Sequence, residues 1–195
     1  MSACLLLKAE PQMDDRTIAT PSQKALLTSP VSDRDHAQGL ATAAITLVVY
    51  GDYQCPQCAA ANSWIKGLQT EMEGRLRLVF RNFRTSRLYP HAAEAAEAAG
   101  LQGQFWEMHD KLFEHQSALG DGHLVEYARD LGLDASHFLH DMHGEICAER
   151  VCRDIMSGVQ SGVQNTPTFF VNGVRHSGSW ASLKKLCDIA LGASS

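Results

Sequence analysis

Hydrophobic residues change their spacing at several points along the chain, and each change marks a predicted element. An unbroken aliphatic and β-branched run over 45–50 predicts a strand that is buried on both faces. From residue 56 to about residue 73 the apolar positions recur at helical spacing, and Gly74 is a typical helix stop. Residues 75–83 are predicted to form a second strand, so these elements make a βαβ unit with two parallel strands.

Helical patterns dominate the next part of the chain. Apolar stripes with helical spacing recur over 91–163, and Pro90 stands where a first helical residue is expected. Asp121 and Asp134 are predicted to cap two of these helices, because an aspartate side chain accepts hydrogen bonds from the free N–H groups at a helix start. This part of the chain is therefore predicted to be an all-helical block.

Two short strands and a helix are predicted to end the chain. The first strand starts near Pro167, and Asn172 with Gly173 forms a residue pair that strongly favours a two-residue hairpin turn. The last helix is predicted over about 179–191. The resulting order predicts an α/β fold in which helices flank a central mixed β-sheet and an all-helical segment is inserted.

Three regions follow from these patterns. Residues 1–40 mix proline, serine, threonine and aspartate without sustained periodicity, and they are predicted to be a flexible N-terminal tail. Residues 41–88 and 164–195 form one predicted α/β domain, and residues 89–163 form a helical subdomain inserted into it. The chain of 195 residues is long enough to bury a substantial core without disulfide staples.

Composition and charge argue against several classes of protein. Hydrophobic residues make up 45% and charged residues 20% of the chain, as in ordinary globular proteins. The net charge of -5 argues against nucleic-acid binding. The longest apolar stretch, 43–50, is far shorter than the roughly 18 residues of a membrane span, so a soluble protein with no membrane partner is expected. Five arginines cluster in the sequence, and we favour a solvated sheet face or rim for them over an anion site: Arg75, Arg77, Arg81, Arg84 and Arg87.

The start of the chain and its six cysteines bear on the compartment. The first ten residues contain no apolar run of roughly 7 to 15 residues, which a secretory signal needs. We therefore expect a cytoplasmic protein, with a periplasmic or other extracytoplasmic location as the alternative if the native start differs. In a cytoplasmic chain, cysteines are better explained by catalysis, redox sensing or metal binding than by a structural framework.

The chemistry is concentrated in the segment Cys55-Pro56-Gln57-Cys58. Residues three apart in a helix have Cα atoms about 5 Å apart, and a disulfide tolerates roughly 4.4 to 6.8 Å. Proline is favoured at the first helical position, so Cys55 is predicted at a helix N-terminus, where free N–H groups stabilise a thiolate. Cys55 is therefore the candidate nucleophile, and Cys58, one turn further in, is the candidate resolving thiol.

The same cysteine pair has two alternative interpretations. It is half of a metal site if about four ligands converge, for which Cys147, Cys152 and the histidines are available, or it is an inert pair. We favour redox chemistry and expect neither a metal nor another cofactor. Cys147 and Cys152 are also a candidate second redox pair. Five helical residues would separate their Cα atoms by about 8 to 9 Å, which favours separately buried or inert thiols.

The other cysteines and the histidines are assigned structural or surface positions. Cys187 is expected to be buried as a small apolar residue, and Cys4 to be a free thiol in the tail. Five histidines are expected at the surface rather than as ligands: His109, His115, His137, His140 and His143.

Several motifs resemble the DsbA-like branch of the thioredoxin superfamily, in the same order over about 45–191. They are the segments GDYQCPQC at 51–58, RNF at 81–83, PHA at 90–92, FWEMH at 105–109 and GVQNTPTFFVNG at 162–173. The resemblance implies a thioredoxin fold with a helical insertion, a nucleophile at Cys55 and a resolving thiol at Cys58. It also implies a cis peptide bond between Thr166 and Pro167 that faces the pair and leaves the Thr166 backbone free to bind a substrate strand.

Two positions depart from the family pattern. Many relatives carry a buried acidic residue six positions before the first cysteine, where this chain has Val49, so proton transfer at Cys58 must use water or another group. The strongest oxidants of the family often have histidine between the cysteines, where this chain has Gln57. One group that stabilises the thiolate is missing, so the resemblance implies a less oxidising potential than that of the strongest members.

These observations lead to one main hypothesis and one alternative. The main hypothesis is a thiol–disulfide oxidoreductase that exchanges disulfides with protein or small-thiol partners through a mixed disulfide at Cys55. Its partners are thiol- or disulfide-containing proteins and a redox recycling partner, and a monomer suffices. The alternative is a metal-binding or redox-responsive interaction module that presents Thr166 and Pro167 to a partner without turnover.

Overall fold

A computed structural model describes residues 26–85, 88–89 and 91–192. The predictions for residues 1–25, including Cys4, and for Arg87 and Pro90 lie outside these residues. The described part of the chain contains the following elements: β1 (His36–Gln38), β2 (Ile45–Gly51), α1 (Pro56–Glu71), β3 (Leu76–Asn82), α2 (Ala92–Leu101), α3 (Phe105–Glu114), α4 (Asp121–Asp130), α5 (Ala135–Met142), α6 (Glu145–Gln160), β4 (Thr168–Val171), β5 (Val174–His176) and α7 (Trp180–Gly192).

The strands form one sheet in the order β1-β3-β2-β4-β5. The central pair, β2 and β3, is parallel with Ile45 opposite Leu76, and the other three pairs are antiparallel. Five helices, α2 to α6, lie between β3 and β4 in the chain. The predicted architecture, a mixed sheet flanked by helices with an all-helical insertion, is therefore confirmed.

The predicted hairpin is also confirmed. Asn172 and Gly173 both have positive φ angles, of 47° and 80°, as a type I′ turn between β4 and β5 requires. The Asn172 side chain accepts a hydrogen bond from the Thr46 N–H at 2.8 Å and donates one to the Ala44 carbonyl oxygen at 3.2 Å. The turn residue thus also satisfies backbone groups at the start of β2.

One continuous hydrophobic core joins the sheet to the helical block. It contains buried residues of β2 and β3 together with the alanine-rich helix α2 and with Met108, Leu124 and Phe138 from α3, α4 and α5. Small alanine side chains let the neighbouring helices approach α2 closely on several sides. The division of the chain at residues 88/89 and 163/164 stays a prediction. Within the described residues, no helix is long and apolar enough to cross a membrane.

The prediction of a tail up to residue 40 is wrong for residues 26–40. His36–Gln38 forms an edge strand antiparallel to β3, and the Leu27 N–H donates to the Gly173 carbonyl oxygen at 2.8 Å. Leu27 and Val31 pack against the sheet face that contains Val48 and Phe170. A three-residue strand and an irregular segment carry no hydrophobic period, so their order comes from these distant contacts.

Arg81 holds this segment onto the sheet. Its side chain is 3% exposed and donates to both carboxylate oxygens of Asp35, at 2.7 and 3.1 Å, and to the Tyr50 hydroxyl at 3.0 Å. It also donates to the carbonyl oxygens of Ser29 and Pro30, at 2.9 and 3.1 Å. The expectation of a solvated arginine is therefore wrong for Arg81, because a buried guanidinium is stable when all its donors are satisfied.

The two predicted aspartate caps have different outcomes. Asp134 precedes α5 and its side chain accepts from the backbone N–H groups of Ser136 and His137, so this cap is confirmed. Gly120 takes the capping position of α4, and Asp121 is the first residue of that helix, so the other cap is wrong. The Asp121 carboxylate instead contacts two histidine side chains that flank the ends of other helices.

Replacing Gly158 with alanine is expected to lower the free energy of unfolding by about 1–3 kcal/mol. A Cβ atom there would lie 2.5 Å from Phe83 Cδ2 and 3.1 Å from Tyr50 Cδ1, in the closely packed contact of α6 with the sheet. Gly67→Ala is the matched control, because a Cβ at this helical position meets nothing within 4 Å and should raise the free energy of unfolding by about 0.5–1 kcal/mol. Urea unfolding would measure both, and equal effects would contradict the packing argument.

Candidate functional site

The two cysteines of the CPQC segment lie where a strand gives way to a helix. The parallel strand β2 ends at Gly51, and Pro56 is the first residue of α1, with Cys55 at its N-cap. The Cys55 carbonyl oxygen accepts from the N–H groups of Cys58 at 3.0 Å and Ala59 at 3.3 Å, which closes the first helical turn. Cys55 is partly exposed and Cys58 is 3% exposed. Other molecules can therefore reach the first sulfur but not the second.

The Thr166–Pro167 segment faces the exposed thiol. Cys55 Sγ lies 3.4 Å from the carbonyl oxygen of Thr166 and 3.3 Å from Oε1 of Gln57. The peptide bond between Thr166 and Pro167 is cis. Two segments that are predicted to supply site residues, more than 100 positions apart in the chain, are thus in contact.

Cys58 is held in the protonated form by its surroundings. Its pKa is raised to about 12, mainly by burial, and charge repulsion from Cys55 contributes to the rise. Two hydrogen bonds act in the opposite direction, because donors stabilise the thiolate. The Asp52 backbone N–H lies 3.5 Å from Cys58 Sγ, and the Thr166 side chain also bonds to this sulfur.

Asp52 organises the loop before the cysteines. Its buried carboxylate accepts hydrogen bonds from the Gln54 N–H at 2.9 Å and from the Thr85 N–H and hydroxyl at 2.7 and 2.8 Å. Asp52 is not among the site residues predicted from the sequence. An aspartate that bonds to the N–H two residues later is a common turn motif, so its position directly after a strand was an available signal.

Gln116 and Gln54 connect the same loop to the rest of the molecule. The Gln116 side-chain amide, located after α3, donates to the carbonyl oxygens of Tyr53 at 2.8 Å and Cys55 at 2.9 Å. The Gln54 side chain accepts from the N–H of Tyr89 at 2.9 Å and donates to its carbonyl oxygen at 3.2 Å. No local pattern indicates either role, because the partners are 35 to 63 residues apart.

A small cavity of about 10 Å³ lies on the buried side of Cys58. Val49, Asn62 and His109 are among its lining residues. The family pattern has an acidic residue at the position of Val49. In this chain the cavity has no acid from β2, and its polar side chains are Asn62 of α1 and His109 of α3. The volume accommodates at most one water molecule.

His109 is a core residue, so its expected surface position is wrong. Its side chain is 2% exposed; Nδ1 lies 2.9 Å from the Tyr53 hydroxyl, and Nε2 lies 3.2 Å from Asn62 Oδ1. Burial lowers the pKa of His109 to about 3, with smaller contributions from the charges of Lys66 and His36. A neutral imidazole with both nitrogens hydrogen-bonded therefore packs under the CPQC loop.

A wider cleft of about 400 Å³ opens beside the cysteines. Its lining residues come from the start of α1, from the Thr166–Pro167 turn and from the β5–α7 connection, and they include Gln57, Pro167, Phe169, Arg175, His176 and Trp180. The cleft therefore combines apolar side chains with the cationic side chain of Arg175. It continues from the dithiol along the edge of the sheet at β5.

The remaining described cysteines lie in helices. Cys147 is fully buried and Cys152 is partly exposed, and α6 runs unbroken through both. An intact helix places their Cα atoms too far apart for a direct disulfide. Burial raises the pKa of Cys147 to about 12 and that of Cys187 to about 11. Cys187 is fully buried against the core, as expected.

The metal interpretation of the dithiol requires further ligands. Among the residues that the structure describes, the one group of three histidine, cysteine, aspartate or glutamate side chains with converging ligand atoms is His91, Asp121 and His143. Cys55 and Cys58 do not belong to it, so within these residues the pair lacks the additional ligands that zinc needs.

Comparison with known proteins supports the same fold. A family model described as thioredoxin matches residues 31–188. BdbD from Bacillus subtilis, in its oxidised form, superposes with a TM-score of 0.77 at 24% identity, covering 87% of this chain and 99% of that one. A thioredoxin-like oxidoreductase from Silicibacter pomeroyi superposes with a TM-score of 0.73 at 25% identity, covering 88% and 98%. The likeness to BdbD shows a shared fold.

Curated relatives are more similar in sequence but much longer. The Na(+)/H(+) antiporter NhaA 1 of Salinispora arenicola is 44% identical over 151 residues, which is 76% of this chain and 23% of that protein. The chain spans about a quarter of the length of the first curated relatives it matches.

Proposed function

Because this chain belongs to the thioredoxin family, we propose that it is a thiol–disulfide oxidoreductase that acts through Cys55 and Cys58. One observation carries the proposal: a partly exposed thiol at a helix N-terminus lies 3.4 Å from the Thr166 carbonyl oxygen, with a second thiol buried one turn further in. A nucleophile needs access to its substrate, whereas a resolving thiol needs protection from solvent until the first step is complete.

In the reducing direction, exchange takes two balanced steps. The Cys55 thiolate attacks one sulfur of a substrate disulfide, forming a mixed disulfide and releasing the other substrate sulfur as a thiolate. Cys58 then loses its proton and attacks Cys55 Sγ, which forms the Cys55–Cys58 disulfide and releases the second substrate thiolate. In the oxidising direction the same steps run in reverse. The potential of the pair relative to its partners decides which direction dominates.

The environment of Cys58 favours this order of steps. Burial is the largest cause of its raised pKa, and repulsion from the Cys55 thiolate adds to it. Once Cys55 is in a mixed disulfide, that negative charge is gone, while the Asp52 N–H and the Thr166 side chain still stabilise a thiolate at Cys58. Deprotonation of the resolving thiol therefore becomes easier only after the substrate is attached.

The substrate is proposed to bind along Thr166 and the adjoining cleft. An extended peptide can pair with the Thr166 backbone while its cysteine contacts Cys55. Arg175 and His176 on the side of the cleft suit a substrate with acidic or polar residues next to the cysteine. Protein substrates with thiols or disulfides, and a redox partner that restores the dithiol or disulfide state, are the proposed partners.

Titration with glutathione redox mixtures tests the proposal. We expect Cys55 and Cys58 to be oxidised and reduced together as one two-electron couple, which thiol alkylation and mass spectrometry would detect. The expected reduction potential is more reducing than about −120 mV, because Gln57 stands where the strongest oxidants have a histidine. Cys147 and Cys152 serve as internal controls and should show no linkage. The same protein should accelerate the oxidation of a reduced dithiol peptide by oxidised glutathione.

The outcomes separate the two hypotheses. A pair that stays reduced in every mixture would contradict an oxidoreductase. A pair that titrates normally but gives no turnover would instead support the interaction module. The curated relatives are named as antiporters, but this chain matches only about a quarter of their length. The proposed function therefore rests on the dithiol site.

A further inference from the structure

Three side chains from the ends of different helices converge at the surface, outside the dithiol site. His91 precedes α2, Asp121 is the first residue of α4 and His143 follows α5. Each offers one ligand atom, and these atoms lie within 4.8 Å of one another. The exposed fractions of the three side chains lie between 34% and 48%, so an ion can reach them from solvent.

The distances between these atoms fit ligands around one zinc ion. His91 Nδ1 lies 2.9 and 3.1 Å from the two carboxylate oxygens of Asp121, and His143 Nε2 lies 3.6 Å from Oδ2. The two imidazole rings are nearly perpendicular, with centroids 4.5 Å apart. In a tetrahedral site with metal–ligand bonds of ~2.0–2.1 Å, neighbouring ligand atoms are about 3.3 Å apart. Small rotations of partly exposed side chains can reach this geometry.

The ligand types select the class of metal. Two imidazole nitrogens and a carboxylate oxygen suit zinc, whereas Ca²⁺ and Mg²⁺ take oxygen ligands. A simple ion pair explains one histidine beside one carboxylate, as for His123 and Glu126 at 3.2 Å on α4. An ion pair of this kind does not explain why a second imidazole, that of His143 at the end of α5, lies near the same carboxylate.

We propose that His91, Asp121 and His143 bind one zinc ion that joins the starts of α2 and α4 to the end of α5. Only the folded chain brings these ligands together, so zinc should stabilise the folded form. His91 lies two residues after Tyr89, whose backbone pairs with the side chain of Gln54 next to Cys55. The ion would thus anchor the segment that supports the dithiol loop.

Isothermal titration with zinc chloride tests the site in a full chain that carries Cys55→Ser and Cys58→Ser, so that the dithiol cannot supply ligands. We expect one zinc ion per chain and a rise in melting temperature of about 5–10 °C at a free zinc concentration of 100 times Kd. His143→Ala in this background should weaken binding by about 100-fold or more, since loss of groups that only orient ligands already costs 10- to 100-fold.

His140→Ala is the matched control, because this exposed histidine of α5 lies outside the group of three. It should leave zinc affinity unchanged, and circular dichroism would show that all variants fold. Zinc binding that is absent, or equally strong in the His143 and His140 variants, would overturn the proposal. So would zinc binding by the unmodified protein that disappears with Cys58→Ser but survives His143→Ala, because the ion would then be held at the dithiol.

Discussion

Replacing Cys55 with serine is expected to reduce catalysed thiol–disulfide exchange to the uncatalysed rate. Cys58 is 3% exposed and its pKa is raised to about 12, mainly by burial, so it cannot replace Cys55 as the attacking sulfur. A serine hydroxyl keeps the size of the side chain but cannot form a disulfide. The measurement is the rate at which a reduced dithiol peptide is oxidised by oxidised glutathione.

Replacing Cys58 with serine should have a different effect. The first attack by Cys55 remains available, but no internal thiol resolves the product, so a mixed disulfide with the substrate should accumulate on non-reducing gels. Cys152→Ser is the matched control, because Cys152 lies on α6, far along the chain from the CPQC segment, and should leave the rate unchanged. An inactive Cys152 variant together with an active Cys55 variant would contradict the assignment.

Replacing His109 with glutamine is expected to change how stability depends on pH. The folded-state pKa of His109 is lowered to about 3 by burial, whereas an exposed histidine in the unfolded chain titrates near 6.5. Below pH 6.5 the unfolded chain therefore binds a proton that the folded chain does not. The histidine's contribution to stability is complete above this pH and is lost as the pH falls towards 3, by up to ~5 kcal/mol in total.

The glutamine variant keeps a neutral polar side chain near Tyr53 and Asn62 but has no such proton uptake. It should be less stable than the parent protein at pH 7.5 by ~1–3 kcal/mol, because the hydrogen bonds of His109 are imperfectly replaced. The difference should narrow, and then reverse, as the pH is lowered from 6.5 to 4. Urea unfolding followed by circular dichroism at each pH would measure it.

The difference in unfolding free energy between the parent protein and the His109→Gln variant, taken at each pH, removes the contributions of other titratable groups. Asp154 is the main example: burial raises its folded-state pKa to about 7, so its effect has the opposite sign and increases stability as the pH falls from 7 to 4. Asp154 is present in both proteins and cancels in the difference. His140→Gln makes the same substitution at an exposed position and serves as the matched control. A constant difference for His109→Gln would contradict the assignment of the buried imidazole.

Local signals account for the parts of this protein that sequence analysis predicted correctly. The apolar run before Gly51, the proline that starts α1 and the Asn172–Gly173 turn each act through neighbouring residues. Backbone sterics and a regular hydrophobic period are sufficient to specify such elements. Their chain order also indicated the mixed sheet with its helical insertion, and the spacing of Cys55 and Cys58 placed both thiols on one helical turn.

Long-range contacts account for the parts that the sequence did not indicate. Residues 26–38 have no hydrophobic period, and their order depends on β3 and on the guanidinium of Arg81. His109 resembles a surface histidine until α3 packs it against Tyr53, and Gln116 binds a loop more than 60 residues away. Each of these groups is stable only with a partner brought close by folding, because an unpaired polar group in the interior is costly. A hydrophobic period or a turn can be recognised from adjacent residues, but a distant hydrogen-bond partner is determined only by how the core packs.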